Sequence, residues 1–93
     1  MVTAIVMIKT EVDRIPEIAQ EVSGIEGVSE AYSVTGEWNL IAIVRVRHHD
    51  DLAEVIPGRL NKVAGIVRTE THIAFRAYSS HDLEAAFALG VGE

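Results

Sequence analysis

Thr35-Gly36-Glu37-Trp38-Asn39, running into Leu40-Ile41-Ala42-Ile43-Val44, is the stretch on which the reading of this chain turns. Gly36 can take a positive φ without steric cost, and the Asn39 side chain can hydrogen-bond back onto nearby backbone, so the five residues predict a sharp hairpin turn. The apolar run that leaves it predicts a strand whose register the turn fixes. Trp38 is the only tryptophan in the chain. Beside two polar side chains it can either anchor the hairpin or help to hold a small ligand at backbone N–H groups.

Working outward, Val28–Val34 precedes the turn and alternates, with Val28, Glu30, Tyr32 and Val34 on one face and Ser29, Ala31 and Ser33 on the other, as in a half-exposed edge strand. Trp38–Arg47 follows it with both alternating sets apolar: Leu40, Ala42, Val44 and Val46 against Ile41 and Ile43. Val2–Lys9 has the same two-sided character, with Val2, Ala4, Val6 and Ile8 opposed to Ile5 and Met7, which at this length favours a buried strand over a helix. Between these strands, Asp13 predicts the N-cap of a helix that buries Ile15, Ile18, Ala19 and Val22 and ends at Gly24. Asp50-Asp51 predicts the cap of a second helix, with Leu52, Val55, Ile56, Leu60 and Val63 at helical spacing. Pro57 removes a backbone donor and clashes with the preceding turn, at roughly 3 kcal/mol, so that helix should kink or split. Ile66–Tyr78 predicts a long fourth strand, and Ser79 with Asp82 a capping box that opens a short terminal helix over 79–90.

The order is β-α-β-β-α-β within one domain, 1–93, its core 1–78. Right-handed crossovers and a short hairpin lead to an α+β, ferredoxin-like antiparallel sheet in the order 4-1-3-2 with both helices on one face. Strands one and three, the two apolar on both faces, then become central. Helices cover only one of those faces, so the other predicts sheet-on-sheet packing in a homodimer, a dimeric α+β barrel; the alternative is a terminal helix folded back over it.

Composition excludes several classes. Fourteen acidic residues against eight basic ones give a net charge of −6, and the bases are scattered, which argues against direct nucleic-acid binding. The chain has no cysteine, so disulfides and thiolate metal sites are excluded. No run approaches the ~20 apolar residues of a membrane span, and a soluble cytoplasmic protein is expected. His48-His49-Asp50-Asp51 holds metal-capable groups, but adjacent side chains seldom converge on one ion, and no metal or other cofactor is expected. His72 shares a strand face with Glu70 and could form an acid–base pair, or be a strand or interface residue. There is no nucleophile turn and no phosphate-cradling glycine loop, so nothing predicts catalysis.

Taken in order, Gly27-Val28, Tyr32 through Leu40, Asp51-Leu52, Leu60-Asn61-Lys62-Val63-Ala64-Gly65-Ile66-Val67 and Thr69-Glu70-Thr71 resemble the amino-acid-binding regulatory (RAM) domain of the Lrp/AsnC transcription regulators, over roughly residues 1–78. The sequence looks like a stand-alone version, without the helix-turn-helix domain that precedes the module in full-length members. The resemblance implies a dimer through the sheet faces, assembly into an octamer of four dimers, an amino-acid effector between dimers, and partnership with full-length Lrp/AsnC regulators. It also implies ligand contacts at Gly36, Trp38 and Asn39 in the turn and at Thr69, Glu70 and Thr71 in the last strand. Asn39 stands where the family usually has Asp, so the charge that could meet an ammonium group is absent unless Glu37 or Glu70 supplies it. On topology, Gly36–Asn39 and Arg68-Thr69-Glu70-Thr71 lie at the same end of the sheet but on opposite edges, so two chains are expected to build a site. Three readings follow: an effector-binding, oligomer-forming module; a dimeric α+β barrel enzyme with a pocket between sheet and helices; and a purely structural interaction module.

Overall fold

The computed structural model describes residues 1–78 and Ser80. Strands β1 (Val2–Thr10), β2 (Val28–Ser33), β3 (Leu40–Val46) and β4 (Ile66–Ala74) alternate with helices α1 (Ile15–Ser23) and α2 (Asp51–Val55). The sheet runs β2-β3-β1-β4 with every neighbouring pair antiparallel, the order expected from the sequence. Its two inner strands are β1 and β3.

The period-two pattern of those strands sorts their side chains into two layers. Ala4, Val6 and Ile8 of β1, with Leu40, Ala42 and Val44 of β3, are fully buried against the helices. α1 sends down Ile18 and Val22, α2 sends Leu52 and Val55, and the chain beyond α2 adds Ile56, Leu60 and Val63. The opposite layer, Ile5, Met7, Ile41 and Ile43, is only half-buried. In register, Ile5 lies opposite Ile43 and Met7 opposite Ile41, which gathers these four into one apolar patch.

Several local expectations are corrected. Asp13 does not cap α1: a 3₁₀ turn, Val12–Arg14, precedes it and no side chain bonds its first N–H groups. Asp50 likewise makes no cap bond; Asp51 reaches back so that its carboxylate accepts the His48 N–H at 3.2 Å. The second helix divides, as Pro57 requires: α2 ends at Val55, and Leu60–Lys62 forms a separate 3₁₀ turn. A Cβ at Gly58 would lie 2.3 Å from the Glu54 carbonyl oxygen, so that connection is closed to larger residues.

β2 ends at Ser33, β3 starts only at Leu40, and β4 stops at Ala74, which lies opposite Thr3 where β1 runs out of partners. Val28 does not share a face with Glu30 and Tyr32. A bulge between Val28 and Glu30 puts Val28 opposite Val44, on the helix side, and Glu30 opposite Ile43, on the open side. The extra residue shifts the alternation by one and turns Val28 inward, where it packs on the core with Ala31. The terminal helix expected over 79–90 lies outside the described residues.

Ile8→Ala should destabilise the domain by about 2–5 kcal/mol, since a fully buried side chain on an inner strand leaves a cavity that packing on both flanks keeps from collapsing. The urea midpoint at fixed protein concentration measures it.

Candidate functional site

The hairpin is built from its base upward. The Val34 N–H donates to the Asn39 carbonyl at 3.0 Å and closes a loop in which Gly36 takes φ 105° with open space around it. The Asn39 N–H then donates to the Ile8 carbonyl at 2.9 Å, carrying the β3–β1 ladder one step past Leu40. The Asn39 side chain does not turn back on its own loop. Its Oδ1 accepts the Thr10 backbone N–H at 2.9 Å, at the point where the β1–β4 register slips between Lys9 and Thr10. Asn39 is thus a structural link between turn and inner strand, and its acceptor is in use.

That link carries the loop across β1 toward β4. On the open face Lys9 lies opposite Arg68. The Arg68 guanidinium stacks over the Trp38 ring, 4.7 Å from its centroid, and bonds the Glu37 carboxylate at 3.1 Å. Lys9 Nζ donates to the Glu37 backbone carbonyl at 2.7 Å. The expectation that one chain keeps the hairpin and the start of the last strand apart is therefore corrected: Glu37 and Trp38 reach Arg68 within a single chain.

The other expected residues divide between the two faces. Glu70, on the open face opposite Met7, is hydrogen-bonded to His72, with 2.7 Å between Oε2 and Nε2. Thr69 and Thr71, opposite Ile8 and Val6, belong to the helix face. Thr69 donates to Asn61 Oδ1 at 3.2 Å, and Thr71 lines a shallow groove of about 460 Å³ with Ile73, Leu52 and Ile56. The structure brings Trp38, Glu37, Lys9 and Arg68 together, sets Glu70 two residues along the same face, and leaves Thr69 and Thr71 behind the sheet. Lys9 was not among the residues singled out, and Arg68 was expected at the same end of the sheet as the turn but on the opposite edge, outside the ligand contacts. Their signal lay in alternation, since Lys9 continues the Ile5, Met7 face and Arg68 shares the face of Glu70 and His72.

At the far edge of the open face, the Tyr32 hydroxyl donates to Glu30 at 2.5 Å and Arg45 Nη1 to the other Glu30 oxygen at 3.1 Å. The Tyr32 hydrogen bond, then the Arg45 contact, holds the Glu30 carboxyl below its usual range, and the same bond raises the Tyr32 phenol. Among the described residues, no three His, Asp or Glu side chains are gathered as a metal site would need, and no helix is long and apolar enough to cross a membrane.

The sequence model of the Lrp/AsnC ligand binding domain matches residues 3–83. TTHA0845 from Thermus thermophilus is similar in structure, with a TM-score of 0.79 at 37% identity over 85% of this chain and 99% of that one. A feast or famine regulatory protein from M. tuberculosis, solved in complex with L-methionine, has a TM-score of 0.71 at 26% identity over 86% of this chain and 54% of its own. In sequence, the chain is 35% identical over 72 residues to an HTH-type transcriptional regulator from Pyrococcus furiosus, covering 77% of this chain and 48% of that protein. It spans about half, or less, of the first such regulators it matches.

Two outcomes are expected of this geometry. Asn39→Ala strands the Thr10 N–H and should cost about 1–3 kcal/mol in thermal or denaturant unfolding, whereas Asn39→Asp keeps an acceptor and should cost less. The Glu30 contacts contribute stability above the ordinary carboxylate range and lose it as pH falls through the lowered folded value. The raised Tyr32 phenol contributes below its ordinary range and loses that as pH rises through the raised value. Melting temperature against pH should show a weaker acid limb and no such alkaline limb in Tyr32→Phe.

Proposed function

As the chain belongs to the Lrp/AsnC ligand binding domain family, we propose that it is a small-molecule effector-binding and oligomer-forming module, its effector an amino acid or a similar metabolite. The observation that carries this reading is the open sheet face, apolar at its centre in Ile5, Met7, Ile41 and Ile43 and bounded at one end by the hairpin cluster. A second copy packed on the patch buries it, and gives a homodimer of the dimeric α+β barrel kind. Further assembly, up to four dimers, brings the hairpin end of one dimer against a neighbour, where Gly36, Trp38 and Asn39 of one copy and Thr69, Glu70 and Thr71 of another frame the effector. The L-methionine of the mycobacterial relative supports an amino acid as the ligand class.

Because the relatives are transcriptional regulators, the role is regulatory rather than catalytic. The space between sheet and helices supports this, filled at its centre by Val6, Ile8, Ile18, Val22, Leu40 and Leu60, all fully buried. With a net charge of −6, the module is read as modulating regulators of its own family by joining their oligomers, without contacting DNA itself.

A thermal-shift screen over the twenty amino acids and common metabolites, with light scattering for oligomer size, tests the whole reading. A ligand at 100 times its Kd should add about 2.7 kcal/mol, several degrees for a domain of this size. Trp38→Ala should abolish that shift and keep the dimer. Ile43→Asp should yield monomer. A dimer that ignores every ligand would leave the purely structural reading standing.

A further inference from the structure

An amino-acid effector needs an anionic partner for its ammonium group, and this chain offers few. Asn39 is uncharged, and its Oδ1 already accepts the Thr10 N–H. Glu37 is bonded to Arg68, and Glu70 to His72. Each acceptor expected to meet an ammonium group is engaged within the chain.

The positive side of the same corner is the opposite case. Lys9 Nζ uses one of its three donors, on a neutral carbonyl, and among the described residues no carboxylate lies within ion-pairing distance of it. Arg68 gives Glu37 a contact through Nη2 and keeps its remaining N–H donors; the Trp38 ring beneath it fixes the plane of the guanidinium. Lys9 and Arg68 face each other across two hydrogen-bonded strands. Lys9 and Arg68 thus set two cations side by side on a chain whose net charge is −6, with Glu37 on Arg68 and Glu70, two residues along the face, bonded to His72.

We propose that Lys9 and Arg68 form a receptor for carboxylate groups, and that the effector is an acidic small molecule without an ammonium group, a dicarboxylic oxo acid, rather than an amino acid. The inference rests on the effector-binding reading given above. Arg68 takes the ligand carboxylate through the side of its fork that Glu37 leaves open, Lys9 supplies a second charge-assisted donor, and Trp38 holds the guanidinium flat for a two-pronged contact. Glu37 competes for the same guanidinium and so sets the affinity.

The test is calorimetric titration of the whole chain with L-aspartate, L-glutamate and 2-oxoglutarate, alongside the matched amides L-asparagine and L-glutamine, and L-methionine and L-leucine. 2-Oxoglutarate is expected to bind tenfold or more tightly than the acidic amino acids, their amides or the neutral amino acids, and to weaken as salt rises from 50 to 500 mM. Arg68→Gln should lower that affinity at least tenfold. Glu37→Gln should raise it severalfold, because it removes the competing carboxylate; if Arg68 only props the hairpin, Glu37→Gln will leave binding unchanged or weaken it, and the proposal falls. Amino acids binding as tightly as 2-oxoglutarate would overturn the oxo-acid effector and leave the effector-binding module standing. No binding by any of the compounds would overturn both.

Discussion

A four-stranded sheet with both helices on one side has to dispose of two inner strands that are apolar on both sides. Val6 and Ile8, with Leu40 and Val44, find the helices; Ile5 and Met7, with Ile41 and Ile43, find nothing within the described chain. That imbalance organises the molecule. It forces β1 and β3 to the centre, leaves β2 and β4 as half-polar edges, and makes the open face a surface that soluble chains cover with a partner. The small contribution of α2, broken at Pro57, sharpens the point, because the helix layer is itself thin over β4, where Ile73 stays 42% exposed.

The hairpin depends on the same inner strand. Past Lys9, where the β1–β4 register shifts, the Thr10 N–H is met by the Asn39 side chain, from a residue distant in sequence. One side-chain amide thereby ties the β2–β3 turn to the end of inner strand β1. Trp38 and Glu37 then have somewhere to land, and Arg68 is there. A loop that alternation alone would place over its own strands instead reaches over its neighbour's. The ion pair itself is exposed and stabilises little; its consequence is positional.

Strand order, helix faces and the two-sided apolarity of β1 and β3 were all legible in the sequence, because they follow from periodicity and from where Gly24, Gly36 and Pro57 interrupt it. The failures share a cause. A bulge adds a residue without changing composition, so the slip near Ser29 and the one after Lys9 left no mark in the alternation, and each moved side chains to the other face or into new company. Caps were misread for a related reason: Asp13 and Asp50 are good cap residues, but a 3₁₀ turn precedes α1, and at the start of α2 the Asp51 and Leu52 N–H groups bond the His48 and His49 carbonyls. In the site, the turn residues and Arg68 were legible in the sequence, while Lys9 and the meeting of Arg68 with Trp38 and Glu37 needed the register that only the folded sheet supplies.

The order β2-β3-β1-β4 joins the first strand to the last, with Thr3 opposite Ala74. For a chain made from its N-terminus, this sets a sequence of events. β1 can pair with β3 as soon as the hairpin is complete, but its other edge, with its run of valine and isoleucine, waits unpaired until residues 66–74 have emerged. Closure of the sheet is therefore the latest and least local step of folding, and the interval before it is when the nascent chain is most open to pairing with a stranger.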